Sequence, residues 1–245
     1  MKCLILAMDY VTRLYPLTKD FPKPLLKIQD KTILDWLIDD IETSGKIDKY
    51  IVISNHRFAD HFREWAKTRN EHIYILDDGT TSNDNRLGAV RDIQYAIDSL
   101  YLDDDLLVIA GDNLLDFSLK GFIDYALEKK ASCTMRYFEK NVTKLRSSGV
   151  LTIDKNDKIL KMIEKPETPA SRWCSPAFYF IKRLDVPHVK NAIMDGCNVD
   201  APGSFISWLS QKEDVYAYEM PGKRYDIGTL ASYKKVQEEY KGVCL

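Results

Sequence analysis

The opening stretch, residues 2–28 (KCLILAMDYVTRLYPLTKDFPKPLLKI), constrains the fold more than any other part of the chain. It starts with an unbroken apolar run from Cys3 to Ala7, the length of one buried strand. No charge interrupts the run, as expected of a strand covered on both faces of a parallel sheet. A polar loop follows, residues 8–20, in which Thr12 offers a hydroxyl, Arg13 a planar fork of donors and Lys19 an ammonium. It closes on Phe21-Pro22-Lys23-Pro24, where two prolines fix the backbone around one lysine. Open α/β sheets bind anionic ligands at such a place, at the carboxyl end of the first strand. The plainer reading is a solvated connection between strand and helix.

Downstream, the hydrophobic period alternates between helix and strand. Residues 32–44 place Ile33, Leu34, Trp36, Leu37, Ile38 and Ile41 at helical spacing with one apolar face, with Thr32 as N-cap and Gly45 as stop. Residues 50–54 and 73–76 read as buried strands, and 57–68 as the helix between them. The order β-α-β-α-β predicts a parallel sheet with right-handed crossovers. Further helices are expected at 90–100, 119–130 and 230–240, and strands at 106–110, 131–137 and 215–219. Residues 148–154 and 159–166, joined by a polar turn, predict an antiparallel hairpin beside the parallel core.

Composition narrows the class. A chain of 245 residues suits one α/β domain. Its net charge of −2 argues against a broad basic surface for nucleic acid. No apolar run reaches the ~18 residues of a membrane span. The first apolar run is too short for a signal peptide and is interrupted by Asp9, so a cytoplasmic protein is expected. The five cysteines are scattered and form no C-x-x-C pair, which suggests neither a zinc site nor a disulfide framework. His56 and His61 stand five apart, off the i, i+4 spacing of a helical metal pair.

Two further places carry candidate chemistry. Residues 77–89 form a long polar loop after a strand, on the ligand side of such a sheet. Asp112 follows the strand 106–110 and a glycine that permits a sharp turn. A lone carboxylate there suits Mg²⁺, which takes few protein oxygens, and it equally suits an ordinary turn.

The pattern LILAxxYxTRLYPLTxxxPKPLL resembles the signature of the sugar-phosphate nucleotidyltransferases, the family of the glucose-1-phosphate thymidylyltransferases. Leu87-Gly88-Ala89, Gly111-Asp112, Ser148-Gly149-Val150, Glu164-Lys165-Pro166 and Asp226-Ile227-Gly228 follow in family order, so the resemblance covers nearly the whole chain. It implies a Rossmann-like three-layer α/β sandwich with a mostly parallel mixed sheet, of the nucleotide-diphospho-sugar transferase type. It implies one such domain, with a nucleotide part over about 1–115 and an acceptor part over about 116–245. The implied reaction is transfer of a nucleotidyl group from a nucleoside triphosphate to a sugar 1-phosphate or similar acceptor, with release of pyrophosphate.

By the same resemblance Arg13 and Lys23 are catalytic, neutralising the phosphates. Ala7, Met8, Asp9, Thr12, Asp78, Gly79 and Gly88 belong to the nucleotide site. Gly149, Glu164 and Lys165 bind the acceptor, and Asp112 with Asp226 holds Mg²⁺. Asp9, Val11 and Pro176 stand where the family usually carries glycine. These departures sustain a second reading, a non-catalytic member used as a binding or regulatory module. The expected partners are small molecules, with no nucleic acid and no membrane. The nucleobase, the acceptor and the oligomeric state, homo-oligomer included, stay open. No β-helix acyltransferase domain is expected after Asp226 and its helix.

Overall fold

The computed structural model describes residues 1–8, 12–69 and 72–243. In chain order its strands are β1 (Lys2–Leu6), β2 (Lys27–Ile28), β3 (Lys31–Thr32), β4 (Lys49–Ser54), β5 (Ile73–Asp77), β6 (Leu106–Ala110), β7 (Leu114–Leu115), β8 (Ser132–Phe138), β9 (Gly149–Ile153), β10 (Ile159–Glu164), β11 (Trp173–Ser175), β12 (Phe178–Ile181), β13 (Val215–Glu219) and β14 (Arg224–Tyr225). Its helices are α1 (Ile33–Glu42), α2 (Ala59–Ala66), α3 (Ala89–Leu100), α4 (Lys120–Lys129), α5 (Val142–Leu145), α6 (His188–Met194), α7 (Gly203–Leu209) and α8 (Leu230–Glu239). Contacts divide the chain into two compact units. The first is Met1–Arg86 with Ala110–Gly121 and Pro221–Leu245; the second is Leu87–Ile109 with Phe122–Met220.

In the first unit β1, β4 and β5 are parallel, with Leu6 beside Ile53 and Ile53 beside Leu76. Residues 3–6 of β1 and 50–54 of β4 are all buried. Successive strand residues point to opposite faces, so both faces of these strands are covered, as the unbroken apolar runs predict. Helix α1 begins in a capping box: Asp35 N–H donates to Thr32 Oγ1 and Thr32 N–H to Asp35 Oδ2, both at 2.9 Å. Beyond its end Gly45 takes a φ of +61°, the left-handed region that glycine enters without a Cβ penalty. Helix α2 is shorter than its expected 57–68, and its later start follows from the Asn55 side chain, which accepts from Phe58 N–H and holds 55–58 in a turn.

The C-terminal segment completes this unit. Leu14, Leu26, Ile28, Ile33 and Leu114 share a core cluster with Ile227, Val236 and Tyr240. Tyr240 is wholly buried and its hydroxyl donates to the Leu115 carbonyl at 2.8 Å. Burying one such large apolar side chain contributes about 1.5–3 kcal/mol.

In the second unit β8 pairs antiparallel with β11 and β12 and parallel with β13. Strand β12 also pairs antiparallel with β6, and β9 with β10 and β11. The expected hairpin is β9–β10, and Asp154 Oδ1 closes its turn by accepting from Asn156 and Lys158 N–H groups. The α/β class and the mixture of strand directions expected from the sequence are both present. Elements beyond those expected from the sequence include β2, β3, β7, β11, β14, α5 and α6. Among the described residues no helix is long and apolar enough to cross a membrane.

Candidate active site

The first unit gathers most of the expected nucleotide and metal residues. β1 ends at Leu6, and Ala7 N–H continues its ladder by donating to the Ile53 carbonyl. The Met8 carbonyl accepts from Asn55 Nδ2 at 3.0 Å. Asn55 is wholly buried, so its amide spends both ends on backbone and fixes where the loop leaves the strand. Asp9 and Val11 lie outside the described residues. Thr12 and Arg13 begin a 3-10 turn, Thr12–Leu14, in which Arg13 is exposed.

Lys23 behaves differently from Arg13. The prolines on either side set it at the start of a second 3-10 turn, Lys23–Leu25. Its side chain is 6% exposed, and Nζ lies 2.6 Å from Asp112 Oδ2. Gly111 makes this meeting possible. Its N–H donates to the Leu6 carbonyl, and a Cβ would stand 2.9 Å from the Ile5 side chain. Only glycine lets the turn after β6 approach β1 so closely. Burial acts to raise the Asp112 carboxyl, but the Lys23 ammonium and the nearby Arg224 guanidinium outweigh it, and the net shift is downward. Asp112 is therefore held ionised.

Asn113 and Arg224 brace this carboxylate. Asn113 Nδ2 donates to the Ala110 carbonyl, and Arg224 Nη1 donates to Asn113 Oδ1 at 3.2 Å. The antiparallel ladder β7–β14 sets Arg224 opposite Leu115 and Tyr225 opposite Leu114. The ladder ends at that second pair, one residue before Asp226 and two residues after Asp112. The two acids are far apart in sequence, and this ladder joins the segments that carry them. Asp226 is exposed, and Ile227 beside it is an anchor in the core.

Asp78 and Gly79 follow β5. Asp78 Oδ1 accepts from both the N–H and the hydroxyl of Thr80 at 2.7 Å. Burial raises its carboxyl despite those bonds. Gly79 has a φ of +75° and open space where a Cβ would sit.

The second unit holds the remaining candidates. Gly88 precedes α3 with a φ of +93°, and a Cβ there would meet the Val199 carbonyl at 2.8 Å. Gly149 and Glu164 are cross-strand partners in β9–β10. Burial raises the Glu164 carboxyl, and the neighbouring Lys165 offsets this in part. Lys165 is exposed and sits at φ +46°, its N–H donating to the Ser148 carbonyl. Pro176, the third departure from glycine, presents its carbonyl to Phe178 N–H and to the Ser175 hydroxyl. In the same unit Asp185, His188 and Glu213 bring ligand atoms within 4.8 Å of one another. Asp185 there already accepts from Ser132 and faces Lys182, which accounts for it as a structural carboxylate.

A family model described as Nucleotidyl transferase matches residues 2–242, and the chain belongs to that family. The chain is 28% identical over 247 residues to a UTP–glucose-1-phosphate uridylyltransferase of Synechocystis, covering 95% of this chain and 61% of the relative. It is 25% identical over 248 residues to a glucose-1-phosphate adenylyltransferase of Thermosipho africanus, covering 94% and 59%. It thus spans about three fifths of the length of the curated relatives it matches. The solved structure of a UDP-glucose pyrophosphorylase with UDP-glucose superposes with a TM-score of 0.79 at 20% identity, covering 96% of each chain. That likeness establishes the Rossmann-like α/β fold.

Proposed function

We propose that this protein transfers a nucleotidyl group from a nucleoside triphosphate to a sugar 1-phosphate or similar phosphorylated acceptor, releasing pyrophosphate. The observation that carries the reading is the Lys23–Asp112 pair, set at the end of the first strand within a family match over almost the whole chain. Phosphoryl-type transfer needs positioning and charge stabilisation more than covalent work by the protein. An acceptor phosphate oxygen attacks the α-phosphorus. A phosphate monoester is already ionised near neutral pH, so no general base is needed.

Lys23 is a buried cation whose only carboxylate partner among the described residues is Asp112. An arriving α-phosphate offers it a second anion at the same place. Arg13, exposed on its turn, takes the charge of the departing pyrophosphate. Lys165 takes the acceptor phosphate, and Glu164 accepts hydrogen bonds from its hydroxyls. Asp112 and Asp226 would hold Mg²⁺. The donor set fits: two carboxylates, one kept ionised by Lys23 and Arg224 and the other exposed. Bound there, Mg²⁺ would offset the mutual repulsion of the phosphates.

The test is pyrophosphate release from dTTP, UTP, CTP, ATP and GTP, each with Mg²⁺ and glucose 1-phosphate. Mg²⁺-linked triphosphate binding also raises the melting temperature by mass action. Absence of both turnover and thermal shift for every triphosphate overturns the reading in favour of a non-catalytic module.

A further inference from the structure

Glycines from two separate elements face the Glu164 carboxylate. Gly149 opens β9, directly across the ladder from Glu164, and a Cβ there would stand 2.8 Å from Glu164 Oε1 and 2.8 Å from Met162 Cε. Gly203 opens α7, which packs on β10. A Cβ on Gly203 would fall on Glu164 Oε1 and would lie 2.7 Å from Met162 Cε. Side chains do not approach one another this closely, so each glycine leaves room that the carboxylate fills.

The backbone gives no reason for glycine at position 203. Gly203 is absent from the positive-φ residues and is the first residue of a helix, where alanine is the better former. It is also buried. What does require its missing side chain is Glu164. That carboxylate is half-buried and has no hydrogen-bond donor of its own among the described residues, only the neighbouring charge of Lys165. An acid held this way retains its acceptor sites for a ligand. The stretch 200–209, whose chemistry is not readable from its sequence, thereby acquires a role.

We infer that Gly203, together with Gly149, is a positioning residue. The two form a slot that fixes the Glu164 carboxylate where it takes hydroxyl donors of a polyhydroxylated acceptor. This rests on the proposed transferase reading. The displaced atoms would be the far ends of flexible side chains, Glu164 and Met162. Adding a methyl group should therefore move the carboxylate and leave the fold in place.

The experiment compares wild type, Gly203→Ala, Glu164→Ala and the double variant. Crystal structures of wild type and Gly203→Ala should show α7 unmoved and the Glu164 carboxylate swung out of the slot. A carboxylate still in place, with the helix displaced instead, overturns the inference. In pyrophosphate-release kinetics with UTP and glucose 1-phosphate, Gly203→Ala should raise the glucose 1-phosphate KM by roughly tenfold, with the UTP KM within about twofold. Glu164→Ala removes the carboxylate and leaves only the flexible Met162 end in the slot, so adding Gly203→Ala to it should change each constant by less than about twofold. Equal effects of Gly203→Ala with and without Glu164 mark a purely structural glycine and overturn the inference. If wild type shows no turnover with any triphosphate, the transferase reading fails, and the crystal comparison still decides whether Gly203 places the carboxylate.

Discussion

Replacing Lys23 by methionine tests the centre of the proposed site. The change keeps most of the stem volume and removes the ammonium from a pair whose atoms are 2.6 Å apart. Stripping one partner from a fully buried ion pair costs about 3–5 kcal/mol, because a charge is left uncompensated. Here Asp112 is 32% exposed and lies near Arg224, so water and a second cation absorb part of that loss. We expect a destabilisation of about 2 kcal/mol near neutral pH, measured by urea unfolding.

Its pH dependence carries the sharper information. The folded Asp112 carboxyl is depressed below its ordinary value of 3.8. Its stabilising contribution is then present above that value and is lost as pH falls through the folded one. Without Lys23 the burial that opposes ionisation is offset by Arg224 and a backbone hydrogen bond alone, and the carboxyl moves upward. The gap in stability between wild type and Lys23→Met should therefore be widest near pH 7 and should narrow by about half or more near pH 4. A gap that stays constant over this range would mean that Lys23 stabilises by packing, and the electrostatic account would be wrong.

Asp226→Ala should abolish Mg²⁺-dependent turnover while changing stability by less than about 0.5 kcal/mol, since the side chain is exposed; retained turnover would remove Asp226 from the metal set. Asn55→Ala strips a donor from the Met8 carbonyl and an acceptor from Phe58 N–H, so unfolding should show a loss of about 1–3 kcal/mol, with a raised triphosphate KM. An unchanged KM would mean that the Met8 carbonyl does not help set the phosphate loop. Asp9→Gly removes a negative charge from the signature loop, and calorimetry should report tighter triphosphate binding. Equal or weaker binding would give Asp9 a task of its own.

The legible parts of this chain are those whose cause is local. The run from Cys3 to Ala7 announces a covered strand without further information, and Thr32 and Gly45 mark both ends of α1 within a few residues. The pairing of Asp112 with Lys23 was not readable from spacing. It depends on Gly111 meeting the Leu6 carbonyl, a contact between residues a hundred positions apart. Asn55 gave no motif because its amide serves backbone groups on two different elements. Two-residue strands such as β7 and β14 are too short to show any period, and the three residues of β11 are little better. The pairing of β7 with β14 was thus not legible, and only a family motif marked Asp226.

The first unit is assembled from three separated lengths of chain, and its last length supplies Asp226, Ile227 and Tyr240. Residues 1–220 by themselves can therefore offer only part of the proposed nucleotide site. The proposed acidic pair needs residues 221–245, which supply Asp226. A chain cut short after Met220 would carry Lys23 and Asp112 without the second acid of the proposed site.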